Sequence, residues 1–147
     1  MRTFSPDLLQ AYAAISVLEA AFLAASEGPL LEELGSFLVT SVKNRIRDTK
    51  ENPYGLDWEE WATGTRKVRE RKGNIVQGLL WDTGELLNSI QAHISPGTVA
   101  VGSSLEYARY LQEGTVHMPA REFLGFSAED LAGIDEIIDI YLRRSML

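Results

Sequence analysis

The sequence predicts an α+β fold with an N-terminal helical hairpin, a small antiparallel β-sheet built on a central hairpin, and a long C-terminal helix. Apolar residues recur every three or four positions near both ends of the chain, as in amphipathic helices. Between Ile90 and Val101 the period changes to two, as in a strand. Because 147 residues suit one folding unit, we predict a single domain over 1–147, with the helical hairpin over 1–48 and an α+β core over 49–147.

Two helices are predicted before residue 48. Ser5-Pro6-Asp7 supplies a cap, a proline suited to the first turn, and an acid near the positive end of the helix dipole. The pattern that follows stops at Gly28-Pro29, and its apolar members are Leu8, Tyr12, Ile15, Leu18 and Phe22. The second helix ends near Arg47, and its apolar members are Leu31, Leu34, Leu38, Val42 and Ile46. Glu19 interrupts the first apolar stretch, so we expect no membrane span.

A turn and a third helical pattern come next. The segment Asn52-Pro53-Tyr54-Gly55 has the composition of a turn. Trp58 opens a helical pattern that ends at Gly73-Asn74, and the residues predicted to share its apolar face are Trp58, Trp61, Thr65 and Val68. Two tryptophans three positions apart are large apolar anchors, either for the core or for an interface.

The clearest prediction is a β-hairpin. Apolar and polar residues alternate over 90–95 and again over 98–102, with Pro96-Gly97 between the two segments. Proline at the second and glycine at the third turn position suit a type II turn. The preceding residues, 81–87, are predicted to form a turn that leads into a short helix.

Three further elements complete the prediction. Residues 107–113 form a short helix that Gly114 stops, and Phe123-Leu124 adds a strand. The segment from Ser127 to Asp130 resembles a capping box, with Asp in place of the usual Glu or Gln. The buried stripe of the terminal helix is predicted to consist of Leu131, Ile134, Ile138 and Tyr141.

The net charge of −7 is unevenly distributed. Residues 43–72 hold nine basic and six acidic residues, a net charge of +3, whereas the rest of the chain holds five basic and fifteen acidic residues, a net charge of −10. The run from Arg66 to Lys72 is the densest part of this basic strip. It is predicted to be a solvated helix face, or else a contact for nucleic acid or an acidic protein.

The residues that usually carry chemistry are scarce. There are no cysteines and only two histidines, His93 and His117, so thiolate sites are excluded and a zinc site is not expected. Asp135 and Asp139 share a helical face on which Arg143 follows, which indicates a solvated surface instead of an acid–base pair. No phosphate-binding loop or nucleophile elbow occurs. We therefore predict no catalytic residue, no metal and no cofactor; an enzyme would have to depend on Asp135 or His93.

Four segments stand in a fixed order between residues 42 and 142. They are Pro53-x-Gly55-x-x-Trp58; Thr83-Gly84-x-Leu86-x-x-Ser89-Ile90; Val101-Gly102-Ser103 with Tyr107-Ala108 and Gly114; and Pro119-Ala120-Arg121-x-Phe123-Leu124-Gly125 before a long helix. In this order and spacing they resemble the phage virion morphogenesis family, the small tail-completion proteins of Mu-like and related contractile-tailed phages.

The resemblance implies a non-enzymatic part of the virion that acts where the finished tail meets the head. It implies that Gly84 and Gly102 hold tight backbone positions and that Tyr107 packs the short helix on the sheet. It also implies that Arg121 makes a fixed polar contact at the start of the last strand. Trp58 and Phe123 complete this set of expected structural or interface residues.

The resemblance also implies partners. The chain is expected to form a ring with other copies of itself, sixfold to match the tail tube, and to contact tail tube, sheath terminus and head connector proteins. DNA would pass through the ring without sequence-specific binding, in a virion assembled in the bacterial host cytoplasm. Two alternatives remain: a head-assembly or portal-side connector protein, and a DNA-binding regulator that uses the basic strip of residues 43–72.

Overall fold

A long helix begins the larger described part of the molecule. The structure, a computed structural model, describes residues 14–16 and 27–145. Helix α1 (Glu27–Asn44) continues into one π-helical turn (Arg45–Thr49). The second predicted helix is confirmed, and its predicted apolar residues are all buried: Leu31, Leu34, Leu38, Val42 and Ile46.

Most of the first predicted helix, 8–26, lies outside the described residues. Strand β1 (Ala14–Ser16) is the exception, and there the helix prediction is wrong. β1 pairs antiparallel with the strand over 98–103, with Ala14 opposite Ala100 and Ser16 opposite Thr98. Backbone hydrogen bonds to a strand edge outweigh helix propensities, which differ among ordinary residues by less than about 1 kcal/mol.

The predicted hairpin is confirmed. Strands β2 (Ile90–Ser95) and β3 (Thr98–Ser103) pair antiparallel from Ile90 opposite Ser103 to Ser95 opposite Thr98. Gly97 has a φ of +69°, the left-handed conformation that the third position of a type II turn requires. The sheet order is β1-β3-β2, so β3 is central, and five of its six residues are buried.

Helix α1 lies on this sheet at Gly35. A Cβ atom added at Gly35 would lie 2.9 Å from the Cβ of Ala92 and 3.2 Å from Cγ2 of Val99. The glycine therefore lets the helix backbone approach the two strands closely. The core that forms between helix and hairpin includes Leu34, Leu38 and Val99.

The third predicted helix begins later than expected. Helix α2 (Thr63–Lys72) starts five residues after Trp58 and ends at Gly73, as predicted, and a short 3-10 turn (Ile75–Gln77) follows. Arg121 explains the late start, because its Nε and Nη2 atoms donate to the carbonyl oxygens of Glu59 and Glu60 at 2.7 and 3.0 Å. A helix starting at Trp58 would need the same two carbonyls for its own hydrogen bonds.

Two short helices match the prediction, but one predicted strand is absent. Helices α3 (Glu85–Ser89) and α4 (Ala108–Glu113) lie where they were expected. Phe123 and Leu124 are not in a strand, so that prediction is wrong. The Gln112 side chain satisfies their backbone instead: Oε1 accepts from both N–H groups at 3.0 and 3.1 Å, and Nε2 donates to the Leu124 carbonyl at 3.1 Å.

The terminal helix, α5 (Ala128–Ser145), begins with the predicted capping box. The Asp130 N–H donates to Ser127 Oγ at 3.0 Å, and the Ser127 N–H donates to Asp130 Oδ2 at 2.9 Å. The predicted stripe is wrong at Leu131, which is 53% exposed. In the first turn of α5 it is Asp130 that faces the interior, so the buried face lies one residue earlier than predicted there. Ile134 is buried, and Ile138 and Tyr141 are partly buried. No helix in the described ranges is long and apolar enough to cross a membrane.

The contact at Gly35 generates a prediction. Gly35→Ala is expected to destabilise the protein by about 1–3 kcal/mol, since the new methyl group overlaps Ala92 and Val99. Gly64→Ala in α2 is the matched control, because an added Cβ there meets nothing within 4 Å, and it is expected to stabilise by up to about 1 kcal/mol. Denaturant unfolding of both variants measures the difference. Equal effects would contradict the close helix–sheet contact.

Candidate interaction site

A buried ion pair connects three segments that are far apart in the sequence. Arg45, in the π-helical turn, donates from Nη2 to Asp130 Oδ2 at 3.0 Å and from Nη1 to the Phe123 carbonyl at 2.6 Å. The Arg45 and Asp130 side chains are 6% and 5% exposed. Ser41 Oγ donates to the other Asp130 oxygen, and the Ser127 N–H also contacts this carboxylate. Arg45 thereby holds the end of α1, the residue 123 segment and the start of α5 together.

Sequence reasoning missed this role of Arg45. On the sequence alone, Arg45 belongs to the basic strip, although this residue lies between Val42 and Ile46 on the buried face of the helical pattern. A cation at such a position requires an internal partner. The position of Arg45 in the sequence therefore indicates that it has a buried partner, whereas the identity of that partner depends on the tertiary fold.

Arg121 forms a second buried polar junction. The residue is 6% exposed, and besides its bonds to the Glu59 and Glu60 carbonyls, its N–H donates to the Leu111 carbonyl at 2.8 Å. Burial lowers the pKa of Arg121 below its ordinary value, and the negative charges of Glu59 and Glu60 oppose that shift. The guanidinium thus fixes the extended chain before α2 against the segment after α4.

Trp58 and Phe123 lie beside this junction. Trp58 is 5% exposed, and its Nε1 donates to the Glu122 carbonyl at 2.8 Å. Phe123 is fully buried in the same core cluster. The structure therefore brings together three of the six residues singled out from the sequence: Trp58, Arg121 and Phe123.

The other three singled-out residues lie elsewhere. Gly84 has a φ of +86° and caps the start of α3, whereas Gly102 is buried in β3 opposite Gln91. Tyr107 is 41% exposed, and its hydroxyl lies 3.4 Å from Glu85 Oε2. Burial, followed by the Glu85 charge and hydrogen bond, raises the pKa of Tyr107. The neighbouring Ala108, at 2% exposure, is the fully buried residue of this segment.

An open cleft of about 880 Å³ lies between α2, α3 and α4. Its walls carry charges of both signs and include Trp61, Arg69, Glu85, Tyr107 and His117. In the ranges 14–16 and 27–145, no three His, Asp or Glu residues are grouped so that they could hold a metal ion. The lining therefore combines charged and aromatic side chains.

Helix α2 stands on the molecular surface and is held mainly through Arg69. None of its ten residues is buried. The Arg69 Nη1 donates to the Trp81 carbonyl at 2.8 Å and lies 3.3 Å from Asp82 Oδ1, and the guanidinium lies 5.3 Å from the centre of the Trp61 ring. The remaining basic residues of the helix are exposed: Arg66, Lys67, Arg71 and Lys72.

Lys50 is also occupied internally. Its Nζ donates to the carbonyls of Ile46 and, at 2.8 Å, Leu79, and lies 5.8 Å from the centre of a Trp81 ring. Burial lowers the pKa of Lys50 to about 8, and the Asp48 charge acts in the opposite direction. Arg45, Lys50 and Arg69 thus serve the fold, and the exposed part of the basic strip consists mainly of the other four cations of α2 together with Arg47.

The outward side of α5 is acidic. Exposed carboxylates lie at Asp135, Glu136 and Asp139, and Asp139 pairs with Arg143 at 2.9 Å. An exposed pair of this kind contributes at most about 1 kcal/mol. This confirms the predicted solvated face. The described part of the surface therefore includes a basic helix, α2, and an acidic helix, α5.

Comparisons with known proteins agree with the family resemblance that the four ordered segments of the sequence indicate. The sequence profile described as the phage virion morphogenesis family matches residues 9–143. A curated relative, the Mu-like prophage FluMu G protein 1 of Haemophilus influenzae, is 29% identical over 93 residues. That match covers 63% of this chain and 64% of the relative, so it spans less than two thirds of the relative's length. No solved structure gives a significant match.

The Arg45–Asp130 pair generates a stability prediction. Arg45→Met leaves the Asp130 carboxylate buried without its cation, so we expect a loss of about 3–5 kcal/mol in the free energy of unfolding. Arg143→Met is the control, because it breaks only the exposed pair with Asp139, and its expected cost is at most about 1 kcal/mol. Arg45→Met/Asp130→Asn should recover part of the loss. Urea unfolding tests all three variants, and a small effect of Arg45→Met would contradict the assignment.

Lys50 generates a pH prediction. Its folded pKa of about 8 lies below the ordinary 10.5, so between these values the unfolded chain binds more protons than the folded protein. The free energy of unfolding that Lys50 contributes should therefore rise with pH across this window and stay constant below it. Unfolding of wild type and Lys50→Met from pH 7 to 10.5 measures the contribution. A difference independent of pH, or one that falls, would contradict the lowered pKa.

Proposed function

The chain belongs to the phage virion morphogenesis family, and from that membership we propose that it is a tail-completion protein. In this role it caps the finished tail tube and enables the tail to join the head. The observation that carries the proposal is the family match over residues 9–143, which takes in nearly the whole chain. The family places the chain in phage structure and assembly, and the tail terminus is our specific proposal within that role.

The surface of the protein supports a role in assembly. Three of the described arginines bind groups of the fold itself: Arg45, Arg69 and Arg121 donate to carbonyls or carboxylates of the same chain. What remains outside is an exposed basic helix, an exposed acidic helix and an open cleft of mixed charge. Such a surface suits contacts with other proteins, so we propose a non-enzymatic structural role.

We propose that the protein acts as a ring. Repeated head-to-tail contacts between identical subunits close into a ring when the rotation between neighbours permits it. Six subunits would match a sixfold tail tube. A net charge of −7 suits a lumen that DNA crosses, since negative walls repel phosphate instead of holding it. The ring would assemble in the host cytoplasm and remain in the neck of the virion.

Mixing of separated particles tests the function. In a prophage that lacks this gene, heads and tails are expected to accumulate unjoined, and the gene supplied in trans should restore joining. Heads from the deletion strain should then join tails from a strain that carries the gene. Tails from the deletion strain should fail to join heads from either strain. The reverse pattern would identify a head-side or portal-side connector instead. Normal virions from the deletion strain would overturn both.

Salt-dependent DNA binding tests the regulator alternative. We expect no binding of a short DNA duplex at physiological salt. A regulator would bind with an affinity that falls steeply as salt rises, and Arg66→Ala/Lys67→Ala/Arg71→Ala would abolish that binding. These three residues are exposed, so their loss leaves intact the contacts that Arg69 makes with the fold. Fluorescence anisotropy with wild type and this variant decides between the two functions.

A further inference from the structure

The two charged helices of this protein are complementary surfaces that a single copy leaves unmatched. Helix α2 has five basic residues and one acidic residue, a net charge of +4. The part of α5 from 128 to 140 has five acidic residues and no basic one, and only Asp130 among them is buried. Among the described residues, no salt bridge joins α2 to α5, since the two bridges of α2 go to Glu70 and Asp82.

The outward faces of these helices also have matching spacing. On α2, Arg69 points toward the body of the protein, so Lys67 and Arg71 project on the opposite side, one turn apart. On α5, Ile134 points inward, and Asp135 and Asp139 project outward, also one turn apart. Residues at this spacing lie about 5–6 Å apart, so two cations of one helix can face two carboxylates of the other.

Exposed apolar residues accompany both charge pairs. Val68 is 46% exposed and lies beside Lys67 on α2. On α5, Leu131 and Leu142 are 53% and 37% exposed and lie one turn before Asp135 and about one turn after Asp139, along the same side of the helix. Gly64 leaves open space beside Val68, which permits close approach of another helix. Both faces therefore combine charge with apolar surface, as protein interfaces do.

From this complementarity we infer that α2 of one copy packs on α5 of a second copy. Lys67 and Arg71 face Asp135 and Asp139, and Val68 packs beside the leucines that flank those carboxylates. The exposed Arg143–Asp139 pair is exchanged for the contact between copies at little cost, because exposed pairs are weak. The contact joins two different surfaces, so it is head-to-tail and repeats from copy to copy. The inference rests on the proposed ring and names its subunit contact.

Disulfide trapping tests the pairing directly. The chain has no cysteine, so Lys67→Cys and Asp135→Cys each introduce one thiol. When the two variants are mixed in equal amounts and oxidised, disulfides between unlike variants should exceed those between like variants several-fold. Val116→Cys, at a position 95% exposed outside both helices, is the control and should show no preference for either variant. A random distribution of disulfides would overturn the inference.

Charge reversal tests the energetics. Lys67→Glu/Arg71→Glu and Asp135→Lys/Asp139→Lys should each weaken self-association at least about tenfold, because like charges then face each other. The chain that carries all four substitutions should regain it, since every contact is again between opposite charges. Arg47→Glu/Arg109→Glu has the same change in net charge as the first variant and is the control, expected to associate like wild type. Sedimentation at low and physiological salt measures all of them.

The outcomes separate this inference from the proposed function. If each double reversal variant associates and restores head–tail joining as wild type does, the α2–α5 contact is wrong and tail completion stands. The contact is also wrong if the wild-type protein stays monomeric at both salt concentrations. It is likewise wrong if the α2 substitutions abolish DNA binding and leave self-association unchanged. If the deletion strain joins heads to tails normally, tail completion is wrong whatever the cross-links show.

Discussion

The pairing of Arg45 with Asp130 is the interaction on which the rest of the fold depends. Asp130 both caps α5 and neutralises Arg45, so the first turn of α5 and the last turn of the α1 region are fixed by the same carboxylate. Arg45 also binds the Phe123 carbonyl, which keeps that chain segment between the two helices. The desolvation of both charges is compensated only while all these partners are present, which makes the junction cooperative.

In the irregular segments, hydrogen bonds from side chains satisfy backbone groups that strand pairing would satisfy in a sheet. Gln112 and Arg121 satisfy backbone groups of Leu124, Glu59 and Glu60, and Trp58 binds the Glu122 carbonyl. The segments on either side of α2 and α4 are therefore irregular but well bonded. In the part of the chain that the structure describes, a three-stranded sheet and two long helices enclose the core, and these long side chains complete its polar interior.

The parts of the structure that depend on periodic sequence features were predicted well. The parts that depend on single polar residues in the interior were not. The hairpin, α1 and the α5 cap follow from spacing and capping chemistry that act over a few residues. The start of α2, the lack of a strand at Phe123 and the exposure of Leu131 depend on Arg121, Gln112 and Asp130 finding partners far along the chain. Of the candidate site, the family resemblance selected Trp58, Arg121 and Phe123, which meet in space. Arg45 required the tertiary structure.

The way α2 is attached has a consequence for its energetics. Because none of its residues is buried, unfolding this helix exposes little apolar surface, and its main cost is the loss of the Arg69 contacts with Trp81, Asp82 and Trp61. Opening of α2 is thus a local event whose free energy depends mainly on those contacts. Substitutions on its outer face leave those contacts intact. The sequence of this face can therefore vary to suit a binding partner without destabilising the fold.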